Sequence, residues 1–228
     1  MDFLQLLIQD GALLRGHFVY LKGQHAPRYT NKTVAFVRAR SVDAYARAIV
    51  DQFEHEGIET LVAPELGAIQ LMAHVQSHFL RRGQEVNAVI ATKVREPHPN
   101  ADIAKEGYSK ATKRFEITRD QPRFVKGCRV LMIEDVFSTG SSIQEALAPV
   151  KACGGIPIAA AVLMNQGSVT ADAIGVDRIH ALVHDPVTQW FEGCPLCEQR
   201  VPVNTKVGKG KDFLLTDQAR KLGLTSAD

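Results

Sequence analysis

The sequence predicts an α/β protein, with a central, mainly parallel sheet flanked by helices. Three observations carry that expectation. Short β-rich runs alternate with helical periods along most of the 228 residues. Two of those runs, Arg129–Asp135 and Ile156–Met164, are apolar almost throughout, as strands buried on both faces are. Glycine or proline marks the transitions, at Gly57, Pro64, Gly67, Gly140 and Gly154-Gly155.

Taken in order, residues 3–14 place Phe3, Leu4, Leu7, Ile8 and Leu14 on a helical period. Gly16–Tyr20 reads as a strand leading into a Gly/Pro loop. Ser41 then caps a helix with Val42, Tyr45, Ala46, Ile49, Val50 and Phe53 on one face, ended by Gly57. Ile58–Ala63 is a strand, and a helix follows through about Arg82. Val86–Thr92, Arg129–Asp135, Ile156–Met164 and Arg178–Val183 are further strands, with a helix from Ser141 to about Cys153. The alternation implies right-handed crossovers. Lys93–Lys113 does not fit it. It is charged and without period, and reads as a lid loop over an active site. Residues 1–190 are expected to form one domain, with an N-terminal hood over about 1–40 and the lid over about 93–113. Residues 191–228 read as an irregular tail packed on that domain, with Lys206, Lys209 and Lys211 solvated.

Composition sets bounds. With 45% apolar and 23% charged residues the chain can offset its folding entropy, so disorder is excluded as the main state. The longest apolar run, Ile158–Met164, falls far short of the roughly 18 residues of a membrane span. A net charge of +2 gives no reason to expect nucleic-acid binding, and four cysteines are not a disulfide scaffold. Met1-Asp2-Phe3-Leu4-Gln5 has no basic region followed by an apolar one, so no signal peptide is expected and the expected compartment is the cytoplasm.

The stretch Val130-Leu131-Met132-Ile133-Glu134-Asp135-Val136-Phe137-Ser138-Thr139-Gly140-Ser141-Ser142-Ile143 carries chemistry. A buried strand ends in two carboxylates, and ligands on open α/β sheets bind beyond the carboxyl ends of strands. A small, hydroxyl-rich turn then opens a helix, where backbone N–H groups can cradle a phosphate. Carboxylates beside such a cradle make sense if they accept from sugar hydroxyls or hold a divalent cation. Taken alone, Glu134 and Asp135 would be the exposed acidic end of a structural strand. There is no Gly-Lys-Ser/Thr and no G-x-G-x-x-G here, so neither a Walker nor a dinucleotide loop is present.

This segment resembles the 13-residue signature of type I phosphoribosyltransferases, which bind 5-phosphoribosyl 1-pyrophosphate. The resemblance implies that fold. It implies that Glu134 and Asp135 contact the ribose hydroxyls, that Phe137, Ser138, Thr139, Gly140, Ser141 and Ser142 form the 5-phosphate loop, and that Mg²⁺ joins the donor near Glu134 and Asp135 through ribose and pyrophosphate oxygens and water. Ala63-Pro64-Glu65-Leu66-Gly67-Ala68 stands where the family carries its pyrophosphate loop, which makes Glu65, Leu66 and Gly67 donor-binding candidates. Residues 16–29 resemble the opening of orotate phosphoribosyltransferases, a G-x-F-x-L-x-S-G-x-x-S-x-x-Y pattern, with Lys22 in place of the usual serine.

In that family a basic loop closes over the neighbouring subunit's site, which implies a homodimer with shared active sites and makes Lys93, Arg95, His98 and Lys105 lid candidates. The implied reaction transfers the phosphoribosyl group to orotate, giving orotidine 5'-monophosphate. The alternatives are another base, or a non-catalytic regulator that binds the donor. Departures bear on the base. Thr92-Lys93 replaces Arg-Lys, and Asn165-Gln166 stands where an Asp-Arg pair usually supplies a cation for the orotate carboxylate. Gln166 cannot make that charged, bidentate contact, which leaves Lys22 or Arg28 to meet the carboxylate or points to a different base.

Cys194-Pro195-Leu196-Cys197 has the spacing of half a zinc knuckle. Cys128, Cys153, His180 and His184 are the other ligands near in sequence, and none is paired at knuckle spacing, so a Zn²⁺ site there would draw on ligands across a dimer. A reduced pair bracing a turn is the alternative.

Overall fold

The computed structural model describes residues 1–97 and 109–227. The chain forms two compact units, Ala39–His184, and Met1–Arg38 with Asp185–Asp228.

The Ala39–His184 unit holds a six-stranded sheet. Its strands are β3 (Thr60–Pro64), β4 (Asn87–Pro97), β5 (Ser109–Glu116), β6 (Arg129–Phe137), β7 (Ile156–Asn165) and β8 (Arg178–His184). The order is β5-β4-β3-β6-β7-β8, parallel except for the antiparallel β4–β5 pair at one edge. Every residue of β3, and every residue of β6 after Arg129, is buried. These two strands meet in the middle of the sheet, as their apolar composition predicts.

Helix α3 (Ala39–Phe53) buries Val42, Tyr45, Ala46, Ile49, Val50 and Phe53, the face that the sequence periodicity marks. It starts two residues before the expected cap, and Ser41 lies buried within its first turn. The Phe53 ring packs edge-on to His180 and under the Arg178 guanidinium. Removing it would cost about 3–5 kcal/mol. Helix α4 (Ile69–Arg81) packs on α3 and on β3. Helix α5 (Ser141–Ala152) lays Ile143, Leu147 and Val150 on a core that includes Val62, Met132 and Val162 of the strands.

The expected lid loop needs correction over the described residues. β4 runs on to Pro97 and pairs with β5 from Ser109, so Lys93 and Arg95 lie on a strand. Charged side chains obscure the strand in the sequence because β5 is a sheet edge, where charges discourage further pairing.

In the other unit, α1 (Phe3–Gln9) is shorter than expected, and a short helix α2 follows at Lys32–Ala35. α1 stops with Asp10 at its C-cap and Gly11 left-handed at φ +73°, and the buried Asp10 carboxylate lies 3.0 Å from the Arg38 guanidinium. Leu13–Val19 is then a strand, β1, and the expected Gly/Pro loop contains a second strand, β2 (His25–Thr30), antiparallel to it. Pro27 is tolerated because this ribbon has only two strands.

The C-terminal segment is more ordered than expected. It forms short helices at Pro195–Glu198, Gly210–Leu214 and Asp217–Lys221. Val203 is fully buried and bridges to His17 and Ser226. The basic stretch is docked too: the Lys209 N–H donates to the Val19 carbonyl at 2.7 Å and its ammonium meets Asp212 at 2.9 Å. Phe191 is 65% exposed. Among the described residues no helix is long and apolar enough to cross a membrane.

Candidate active site

The site is built on the central strands of the Ala39–His184 unit. β6 carries Glu134 and Asp135 at its carboxyl end, both buried. The Asp135 N–H donates to Glu134 Oε1 at 3.0 Å, and the Val136 N–H donates to Asp135 Oδ1. Each carboxylate is thus steadied by main chain from its own strand.

Five residues after Asp135, Gly140 takes a left-handed conformation, φ +74°, and α5 begins. A side chain would be strained there, and its Cβ would lie 2.7 Å from Ile174 and 2.8 Å from Val169. Ser138, Thr139, Ser141 and Ser142 are exposed around this turn. The Thr139 hydroxyl donates to Ser141 Oγ at 3.1 Å. N–H groups of the first helical turn, with these hydroxyls, make the kind of helix start that can cradle an anion.

The structure brings the second candidate loop to the first. β3 and β6 are parallel neighbours, so the turn after Pro64 opens beside the end of β6. A Cβ on Gly67 would lie 2.0 Å from Asp135 Oδ2, so only glycine lets this turn touch the carboxylate. The Glu65–Leu66 peptide is cis. Leu66 is exposed, and Glu65 Oε1 accepts from the Lys93 N–H at 3.1 Å. Thus Glu65, Gly67, Lys93 and Asp135 are linked from three adjacent strands.

Gln166 joins them from β7. Its N–H and that of Gly167 both donate to the Phe137 carbonyl, at 2.9 and 3.1 Å. A Cβ on Gly167 would lie 1.7 Å from the Ser138 carbonyl oxygen, so this turn lies directly on the 138–142 backbone. The Asn165 amide closes the turn, donating to the Val169 carbonyl and accepting from its N–H. This position therefore offers amides where the resemblance leads one to expect a cation.

Lys93 and Arg95 line a cavity of about 520 Å³ with Glu65, Glu116, Thr118 and Arg119. The sequence reading missed Arg119. It sits at φ +57° in the turn after β5, and no motif marks it. His98 and Lys105 lie outside the described residues. Lys22 is exposed in the β1–β2 turn of the other unit. In that unit Arg28 is ion-paired to Asp185 and donates to the Pro186 carbonyl at 2.9 Å.

Cys194 and Cys197 are buried, and the partners expected from sequence proximity are not beside them. His180 packs on Phe53, while Cys128 and Cys153 are half-buried in the Ala39–His184 unit. The neighbours are instead His17 and His25, from the far end of the sequence. Their spacing to the cysteine pair matches no metal pattern, so no sequence signal marked them.

Comparison with known proteins agrees with this geometry. The phosphoribosyl transferase domain matches residues 37–196. The chain is 28% identical over 204 residues to the orotate phosphoribosyltransferase of Thermus thermophilus, covering 89% of this chain and 98% of the relative. It is 26% identical over 202 residues to that of Desulforamulus reducens, covering 88% and 93%. The fold resembles the crystal structure of the Mycobacterium tuberculosis orotate phosphoribosyltransferase in complex with inorganic phosphate, with a TM-score of 0.60 at 18% identity over 80% of this chain and 94% of that one. A domain match of this extent, on a chain whose anion cradle and glycine turn meet at Asp135, makes this chain a member of the phosphoribosyl transferase family and an enzyme of that class, most similar to the orotate phosphoribosyltransferases.

Proposed function

We propose that the protein transfers the phosphoribosyl group of 5-phosphoribosyl 1-pyrophosphate to orotate, as a cytoplasmic homodimer with shared active sites. The observation that carries the reading is the contact of Gly67 with Asp135 beside the start of α5. It gathers an anion cradle, two sugar-hydroxyl acceptors and a second glycine turn at the ends of two neighbouring strands.

In this reading the N–H groups and hydroxyls of 138–142 hold the 5-phosphate. Glu134 and Asp135 accept from the ribose hydroxyls and fix the pentose. The 65–67 turn meets the pyrophosphate, and Lys93, Arg95, His98 and Lys105 balance the charge that grows on it as the bond to the anomeric carbon breaks. A base nitrogen then bonds to that carbon. The protein supplies position and charge rather than covalent chemistry.

Glu134 and Asp135 offer only oxygen donors, which fits Mg²⁺. Among the described residues no third carboxylate, imidazole or thiol gathers with them, so the ion would rest on substrate oxygens and water as well. When bound, it would neutralise and orient the pyrophosphate.

A second reading, transfer to a different base, is favoured by Gln166 and Asn165. Of the cations weighed for orotate, Arg28 is committed to Asp185, which leaves the exposed Lys22. The test is a spectrophotometric assay with donor, Mg²⁺ and a panel of bases. Turnover with orotate is expected. Turnover only with another base would establish the second reading, and none with any base would overturn both. For shared sites, mixing Lys105→Ala with Asp135→Asn protein should restore part of the activity. No recovery would contradict a lid acting across subunits.

A further inference from the structure

Four donor atoms converge in the unit formed by the chain ends. They are nitrogens of His17 and His25 and the Sγ atoms of Cys194 and Cys197, all within 4.8 Å of one another. The four residues are between 1% and 6% exposed. His17 Nε2 lies 2.8 Å from His25 Nδ1, 3.9 Å from Cys194 Sγ and 3.6 Å from Cys197 Sγ. Cys197 Sγ lies 3.3 Å from His25 Nδ1. A tetrahedral zinc ion with ordinary Zn–N and Zn–S bonds would set these edges at about 3.4–3.8 Å. The three sulfur–nitrogen edges above, 3.3–3.9 Å, straddle that range within a few tenths of an ångström, and the His–His edge would open.

The surroundings suit a ligand set. The register of β1 against β2 slips between Arg15 and Phe18, and that irregularity carries His17. The other ring nitrogen of His17, Nδ1, is 2.8 Å from the Val201 carbonyl. Donating there fixes the tautomer, so the Nε2 lone pair faces the cluster, as in metal sites with outer-sphere support. His25 is pinned edge-on against Phe213 and bridged by its backbone to Trp190. Cys194 caps the short helix that carries Cys197, and all four cysteines of the chain are free thiols. One apolar cluster of this unit, centred on Val19, Val203, Phe213 and Ala219, joins β1 to the C-terminal segment. A unit made from two remote segments gains from a metal that ties them together.

We propose that His17, His25, Cys194 and Cys197 bind one zinc ion in a closed, structural Cys2His2 site. Four protein ligands leave no open position for catalysis. The ion bonds β1, β2 and the C-terminal segment into one unit. The site is independent of the donor-binding residues and stands whatever the acceptor base is.

The test is metal content and cobalt substitution of the full-length protein. Purified without chelator, it should carry about one zinc per chain. Cobalt(II) in place of zinc should give intense tetrahedral ligand-field bands and sulfur-to-cobalt charge transfer. Cys197→Ser and His25→Ala should lose the metal, whereas Cys128→Ser and Cys153→Ser should keep it. Should the ligand variants fail to fold, the cobalt spectrum of the unaltered chain decides. A wild-type chain without zinc and without a tetrahedral cobalt spectrum would overturn the site. So would metal that stays bound in the Cys194→Ser/Cys197→Ser protein, or a Cys194–Cys197 disulfide in place of two thiols.

Discussion

The two units are built on opposite plans. In Ala39–His184, β3 and β6 are each followed within a few residues by a turn and a helix, and Glu65, Gly67 and residues 138–142 lie at those junctions. The other unit joins residues 1–38 to 185–228, so its pairings, such as His17 with Val203 and His25 with Trp190, span most of the chain. Local construction leaves a period and a punctuation mark in the sequence, and construction from remote segments leaves neither. The first plan makes a site that depends on sterics at single glycines, and the second makes a unit that depends on a few cross-chain contacts.

The contrast can be broken or sharpened by substitution. The largest effect is expected at Gly67→Ala. Its Cβ would strike Asp135 Oδ2, and displacement of a positioning group by about 1 Å costs on the order of 100-fold in kcat/KM. Wild-type kinetics in this variant would contradict the close contact. Asp135→Asn keeps the shape and removes the charge, so turnover should fall at least about tenfold, or about 1.4 kcal/mol of transition-state stabilisation, with the fold intact by circular dichroism.

In the other unit, Gly210→Ala places a Cβ 2.0 Å from the Asn204 carbonyl oxygen. A stability loss of about 1–3 kcal/mol is expected in denaturant titration. No loss would mean that the C-terminal helix is not held as described. The smallest effect is expected at Asp43→Asn. A hydrogen bond from His78, 2.9 Å away and helped by Arg81, holds the Asp43 carboxyl below its ordinary range. A lowered carboxyl pKa stabilises the fold above the unfolded value, and that contribution fades as pH falls through the folded one. The Asp43 side chain is half-exposed, so the loss in Asp43→Asn should stay below about 1 kcal/mol at neutral pH. It should vanish in acid melts, where the wild-type carboxyl is itself protonated.

Legibility follows the same division. The run Arg129–Asp135 and the helix from Ser141 could be read because burial on both faces and a hydroxyl-rich helix start are local signals, and the structure extends the strand only to Phe137. The cradle at 138–142 and the turn at Gly67 were each visible, but their meeting at Asp135 was not, since it depends on β3 and β6 being neighbours. β2 was hidden by Pro27, and the outer part of β4 by its charges. The partners of Cys194 and Cys197 were hidden by distance along the chain, because no spacing rule connects a pair at 194 and 197 to residues 17 and 25. Arg119 had no signal at all.

The central claim is that the 138–142 cradle and the Gly67 turn grip one phosphorylated pentose at Asp135. Isothermal titration calorimetry of 5-phosphoribosyl 1-pyrophosphate with Mg²⁺ tests it most directly. Saturable binding by the wild-type chain, lost or sharply weakened in Gly67→Ala, is the expected result. Absence of binding to the wild-type protein, or equal binding by Gly67→Ala, would contradict the claim.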